Sequence, residues 1–445
     1  MRLIFLKWIL CIVLLPGSLY AQDTVFANLP SQWRLEDCIT YASLNNITLA
    51  SLRLSTRSAE EDYMQSKAAV NPDLYASASQ SFMNSRSLDV NTGNYKNRFN
   101  VSGNYGANSS IVIYHGGFLR YDIRSKDLFI QAAKLDVEET ANSLTLSITQ
   151  AFFNILLARE VMVSFEALLS TSEGQLLQGQ QRYDAGAIAN KELLQLQSQV
   201  AGDRYNLVRA TNNFRLNTVI LKQLLFLPTS FDFAVTVPGN FPVPTTVYPL
   251  PDAQQEALLS RPEIKNKEVL VRIAQTDMQK MRAMFKPTIS MQAGLGTGYS
   301  DVQGAKFLSQ LGNNFYQSLS ISLSVPIYTR RVNKTNINKS DIRLQQSRLL
   351  LYETKTILNQ QVEQTFINLQ NSMAEYDAAQ KQLTFSEQIY FITNEQMKLG
   401  AVTVLELLQQ KNIYVQALQV YTQAKYSLLL YEKIYEFYRG IPVRF

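Results

Sequence analysis

The chain carries the same turn twice, about 214 residues apart, and any fold it adopts must accommodate that duplication. The first copy reads Arg182-Tyr-Asp-Ala-Gly186-Ala187-Ile188-Ala-Asn-Lys-Glu192-Leu-Leu-Gln195. The second reads Gln396-Met-Lys-Leu-Gly400-Ala401-Val402-Thr-Val-Leu-Glu406-Leu-Leu-Gln409. A period this long is not that of a solenoid, whose units run to about 20–50 residues. It describes two similar halves within 445 residues, running from 22 to 227 and from 252 to 445. The segment between them, 228–251, is rich in proline and includes Phe231, Phe233 and Val235, which read as an equatorial linker packed outside the helices.

Glycine and proline are distributed unevenly, and the gaps define the helices. Neither occurs from Thr329 to Leu399 or from Ala401 to Arg439. In the first half, Leu119 to Gln178 holds only Gly174, and Ala187 to Leu227 only Gly202. Such stretches predict long helices, and about 60 residues reach about 90 Å at 1.5 Å per residue. Leu144, Ile148, Ala151, Ile155, Ala158, Met162, Phe165 and Leu169 step by alternating four and three, and Leu358, Val362, Leu369, Tyr376 and Leu383 keep the same register. This is a heptad seam, which favours helices wound around neighbours.

Between the helices the period changes to two. Phe99, Val101, Gly103, Tyr105 and Ala107 alternate with Asn100, Ser102, Asn104, Gly106 and Asn108, and Leu319, Ile321, Leu323 and Val325 alternate with Ser318, Ser320, Ser322 and Ser324. Strand pairs are predicted at 73–82 with 98–114 and at 288–299 with 315–327. Short strands with one apolar and one small polar face are the pattern of transmembrane β-barrels. Four such strands cannot close on themselves, and an open edge in lipid leaves backbone groups unpaired at several kcal/mol each. Several chains must therefore build one barrel, and three would supply twelve strands.

Composition bounds the function. One histidine, His115, in a Tyr-His-Gly-Gly turn, leaves little material for acid–base catalysis or a metal centre. There is no Gly-rich phosphate loop, no Ser/His/Asp set and no metal-ligand spacing, so neither an enzyme nor a cofactor is expected. The net charge of +6 is spread without a basic block interleaved with aromatics, which argues against nucleic acid as a partner. Arg2 and Lys7, the apolar run from Trp8 to Leu15, and Tyr20-Ala21 read as a secretory signal over residues 1–21. Removal of Cys11 with that signal leaves Cys38 alone, so no internal disulfide is expected, and neither cysteine follows a lipobox-like cleavage site, so no lipid anchor is expected.

With these elements in place, the chain resembles the TolC family of outer-membrane efflux proteins. The resemblance rests on Leu35-Glu-Asp-Cys-Ile-Thr-Tyr-Ala42 followed by Asn45-Asn46, on Asn71-Pro72 and Lys286-Pro287 before the strands, and on the two Gly-to-Glu-Leu-Leu turns. It implies a mainly α fold with transmembrane β: a homotrimer whose 12-strand barrel, four strands per chain, sits in the outer membrane of a Gram-negative cell. An α-helical coiled-coil barrel continues it across the periplasm. It also implies the exit duct of a tripartite system, with a periplasmic adaptor and an inner-membrane transporter as partners, exporting drugs and other small molecules.

By the same resemblance, Gly186, Ala187 and Ile188 with Gly400, Ala401 and Val402 are the adaptor-docking turns. Glu406 stands where members place an acidic ring around the entrance, with Glu192 as its first-half counterpart; three carboxylates around a pore attract cations. Gln409 stands where some members carry a second acid, so the second ring is polar and uncharged. Val402 and Met397 stand where some members have polar latching residues, which shifts closure toward packing. The same architecture would serve type I protein secretion. A coiled-coil trimeric surface or scaffold protein explains the heptads but not two internal strand pairs. Phe445 resembles a barrel-insertion signal but follows a helix.

Overall fold

The computed structural model describes residues 30, 32–88, 93–236, 246–301 and 306–444. The expected signal, Phe445 and residues 237–245 of the linker lie outside the described residues. In chain order the first half contains β1 (Gln32–Trp33), α1 (Leu35–Asn45), α2 (Ile47–Ala68), β2 (Tyr75–Leu88), β3 (Tyr95–His115), α3 (Phe118–Asp184) and α4 (Asn190–Leu224). After β4 (Ala234–Val235) come α5 (Leu250–Ser260), α6 (Pro262–Ala283), β5 (Thr288–Ser300), α7 (Phe307–Asn313), β6 (Tyr316–Ser324), α8 (Val332–Lys398) and α9 (Val404–Tyr438).

The halves correspond element for element. The long helices α3 and α8 each have 67 residues, and the returning helices α4 and α9 each have 35. At 1.5 Å per residue the longer pair spans about 100 Å. The shorter helices that enter each half are broken in two. In the first half Asn46 leaves the helical region, with ψ 124°, and its side chain accepts from the Leu49 N–H at 3.1 Å, capping α2. In the second half Pro262 opens α6 and holds Arg261 in an extended conformation.

The four long strands form one antiparallel sheet in the order β2-β3-β5-β6. The two halves meet at β3 and β5, where Ala107 pairs with Leu295 and Ile111 with Met291. Because side chains alternate, this register sorts the sheet into two faces. Phe82, Phe99, Val101, Tyr105, Ile289, Met291, Leu295, Leu319, Ile321 and Leu323 share one face. Ser77, Ser79, Asn104, Asn108, Gln292, Gly294, Ser318, Ser320 and Ser322 share the other. Leu319, Ile321 and Leu323 are 70%, 68% and 65% exposed, so among the described residues nothing covers the apolar face. Among the described residues, strands β2 and β6 each leave one edge unpaired.

Strand limits differ from those read in the sequence. β2 begins at Tyr75 because Asp73 turns back, its carboxylate accepting from the Ser110 N–H at 2.6 Å and the Ser110 hydroxyl at 2.7 Å. β2 and β3 then continue past the expected ends, pairing out to Leu88 and Tyr95. β6 ends at Ser324 rather than at 327, since Pro326 has no N–H to give the ladder. The connection from β5 to β6 also contains α7, which the alternating pattern did not suggest.

The heptad residues form the helical cores. Ile148, Ala151, Ile155, Leu221, Leu225, Tyr426 and Phe437 cluster around fully buried Trp33, Phe152 and Phe153, with Phe233 and Val235 of the linker completing the group. The linker reaches this core through a parallel pairing of β1 with β4. Leu358, Val362 and Leu369 pack with Leu428 and Tyr435 in the second half. Among the described residues, no helix is long and apolar enough to cross a membrane.

Candidate gate and docking turns

The duplicated turns close the two long hairpins at the end remote from the sheet. Each helix ends in the same arrangement. The Ala187 N–H donates to the Arg182 carbonyl at 2.7 Å and the Gly186 N–H to the Tyr183 carbonyl at 2.8 Å. In the second half the Ala401 N–H donates to Gln396 at 2.9 Å and the Gly400 N–H to Met397 at 3.0 Å. These are paired Schellman closures, which satisfy carbonyls left over at a helix end and require a left-handed residue. Gly186 and Gly400 supply it with φ 74° and 75°.

The structure places Gly186, Ala187, Gly400 and Ala401 exposed at the apex, with Ile188 and Val402 half-buried behind them. Glu406 and Gln409 lie exposed on the first turns of α9, and Glu192 is half-buried on α4. Leu193 and Leu407, next along the chain from the two glutamates, are buried and hold each returning helix down. The returning helices start differently. Thr403 caps α9, its hydroxyl accepting from the Glu406 N–H at 3.2 Å, whereas Ala189 at the same place on α4 offers no side-chain cap.

The polar links between the two hairpins were not singled out in the sequence. Arg182 donates to the Met397 carbonyl at 2.8 Å, tying the end of α3 to the end of α8. Gln175 donates to the Asn394 amide oxygen at 2.9 Å and to the Tyr390 hydroxyl at 3.1 Å. Gln175, Arg182 and Asn394, with Gln178, Met397 and Lys398, line a cavity of about 370 Å³ between the hairpins. Burial pushes the Tyr390 phenol above its ordinary pKa, with the Gln175 amide acting in the opposite sense. Its ring stacks on Tyr414 at 5.4 Å, joining α8 to α9.

Deeper in the bundle, Lys411 of α9 is fully buried and reaches across to α3 and α4. Its ammonium donates to the Asp203 carboxylate at 2.5 Å and to the Ser172 hydroxyl, which itself donates to Asp203. Gln199 donates to the other Asp203 oxygen at 2.9 Å. Further along, Lys425 and Tyr426 donate to Glu160, at 2.9 Å and 2.6 Å to the same oxygen. A signal for the deep pair existed: Leu193, Leu196, Val200 and Asp203 step three-four-three, and Val404, Leu407 and Lys411 step three-four, which puts opposite charges on seam positions.

The geometry of sheet and hairpins matches that of known proteins. The chain matches the family model described as outer membrane efflux protein over residues 39–225 and 253–432, one match per half. It is 23% identical over 299 residues to the probable outer membrane lipoprotein SilC of Salmonella typhimurium, covering 64% of this chain and 60% of that one. It is 23% identical over 392 residues to the pyoverdine export outer membrane protein OpmQ of Pseudomonas aeruginosa, covering 85% of this chain and 79% of OpmQ. A crystal structure of CusC superposes with a TM-score of 0.79 at 20% identity, covering 92% of each chain. On the two matched segments, which take in both hairpins and both strand pairs, the chain belongs to the outer membrane efflux protein family.

Proposed function

We propose that three copies of the chain close a twelve-strand barrel in the outer membrane, and that the chain exports small molecules through it. The observation that carries this reading is the sheet: four strands, one apolar face, one small polar face and two unpaired edges. Unlike edges β2 and β6 can pair only head-to-tail, and such contacts generate rings when the rotation closes. Two chains would give eight strands, a number whose interior is about filled by side chains. Three leave a lumen lined by serine, asparagine and glycine.

The helices agree with such a ring. Tyr205, Val208 and Leu216 of α4 are exposed, as are Phe385, Ile389 and Ile392 of α8. These apolar stripes lack partners within one chain and are suited to bundle with a neighbour's hairpin. Six hairpins then form a tunnel beneath the barrel, ending at the duplicated turns. Glu406 rings its entrance with Gln409, and Glu192 stands one hairpin over. The turns at 186–188 and 400–402 receive a periplasmic adaptor that links the duct to an inner-membrane transporter. OpmQ is named for export of pyoverdine, which supports a small-molecule cargo here.

Purified protein placed in planar bilayers tests the reading. A detergent-solubilised mass of three chains with steady conductance is expected, and a non-conducting monomer overturns it. Glu406→Gln should reduce the preference for cations over anions while leaving the trimer intact. A deletion strain should become sensitive to toxic compounds; loss of a secreted protein without such sensitivity would instead assign the duct to protein export.

A further inference from the structure

The lipid-facing surface does not stop at the last paired residue of the sheet. Strand β6 leaves β5 at Gly296, so β5 runs on through Ser300 with a free edge. Helix α7 covers that edge in place of a strand. The Thr297 hydroxyl donates to the Leu311 carbonyl at 2.7 Å, the Ser300 N–H to the Gln310 side-chain oxygen at 2.9 Å, and the Asn314 amide to the Gly298 carbonyl at 2.7 Å. Gln310 is buried where α7 meets the sheet.

The outward side is open and mixed, with Ser309 and Asn313 exposed and bonded to each other at 3.4 Å, and its apolar part is the N-terminal pair Phe307 and Leu308. The Phe307 ring packs edge-on against Tyr299, centroids 5.1 Å apart, and Phe307 remains 44% exposed. Leu308 beside it is 79% exposed. Tyr299 pairs opposite Gly103 and lies an even number of residues from Leu295, Ala293 and Met291, which places it on the apolar face. From Ile289 to Tyr299 the strand rises about 34 Å. A tilt of about 40° reduces this to about 25 Å, the height of the apolar band of an outer-membrane barrel. Tyr299 therefore stands near the upper edge of the band, and Phe82, opposite Val101, and Phe99, stacked at 6.5 Å, follow on the same face two and four positions farther out along β3. Aromatic residues gather at this level because the ring has an apolar body and suits the headgroup boundary.

We propose that α7 is a membrane-interface anchor, with Phe307 and Leu308 inserted among lipid chains at the outer rim of the barrel. The occupant is lipid because the patch continues the face that lipid already covers, at the depth where that face ends. The proposal rests on the sheet standing in the outer membrane, and the test separates the two. Leu308→Trp and, as reference, Ile321→Trp are each reconstituted in phosphatidylcholine vesicles carrying brominated acyl chains. Both positions are exposed within the chain, so neither change disturbs a core. Parent protein supplies the background of the chain's own tryptophans.

Ile321→Trp should be strongly quenched. Leu308→Trp should be quenched to about half that extent, as expected of a boundary site rather than the hydrocarbon centre. Strong quenching at Ile321 with none at Leu308, whether Leu308→Trp is open to acrylamide in the water or shielded from both quenchers, overturns the anchor and leaves the barrel standing. Absence of quenching at both overturns the barrel reading itself.

Discussion

The two halves share a backbone and differ in what holds it, most visibly where strands give way to long helices. At the first junction Gly116 and Gly117 have φ 61° and 90°. At the second, Arg330 and Arg331 occupy the equivalent places with φ 47° and 67°. The left-handed pair re-aims the chain from a strand into a helix, and glycine adopts it at little cost. A residue with Cβ adopts it at about 1 kcal/mol or more. Space explains part of the choice: a Cβ on Gly116 would stand 2.5 Å from the Ala283 carbonyl, so no side chain fits there. The duplicated geometry has outlived the duplicated residues, which marks the path of the chain as the constrained quantity.

The same divergence appears near the tips, and breaking it there should have the largest effect. Asp203 and Lys411 have Ala417 and Gln197 as their counterparts 214 positions away, so the buried charge pair exists once per chain, not twice. Lys411→Met leaves a carboxylate buried and unpaired, and should cost about 3–5 kcal/mol. The check is a large fall in the thermal midpoint of the helical signal, with much of it regained in Lys411→Met/Asp203→Leu.

The junctions come next. Gly116→Ala should cost more than about 2 kcal/mol, adding a backbone collision to a strained φ. Arg331→Gly should instead stabilise by roughly 0.5–1 kcal/mol, because it relieves that strain. Urea titrations of the two variants sharpen the contrast, and destabilisation by Arg331→Gly would mean that the arginine side chain, not the turn, is what matters.

Substitution at the apex should have a smaller effect. Gly186→Ala and Gly400→Ala should each cost about 1 kcal/mol for a left-handed alanine. The second should cost slightly more, since its Cβ would meet the Arg182 guanidinium at 3.3 Å while the first meets open space. Smallest is the cap: Thr403→Ala should cost about 1 kcal/mol or less, and Ala189→Thr should recover a few tenths for α4. Equal responses of α4 and α9 to these changes would erase the difference between the two returning helices.

Much of the fold was legible because it depends on what is missing. A helix of 67 residues needs an interval nearly free of breakers: that of α8 has neither glycine nor proline, and that of α3 has no proline and only Gly174 and Gly179. The sheet faces were legible where serine alternates with aliphatics, as in β6. Local side-chain bonds were not. Asp73 looks like a strand residue until Ser110, 37 positions later, takes both its oxygens. Helix α7 exists because β5 outruns its partner, a mismatch of lengths that no local pattern encodes. The turns of the candidate site announced themselves by their glycines. Arg182 and Gln175 did not, because a polar residue on a helix surface reads as solvated until a second hairpin lies against it.

The matched helix lengths make the molecule a ruler. Hairpins of 67 and 35 residues in both halves bring all the turns of a ring to one level, so whatever meets them meets a flat rim. Removing one heptad from both helices of one hairpin would set alternate turns at two levels, whereas removing one from each of the four helices would lower them evenly by about 10 Å. Changes in the reach of the hairpins below the sheet are therefore confined to coordinated insertions and deletions, in steps of seven residues per helix.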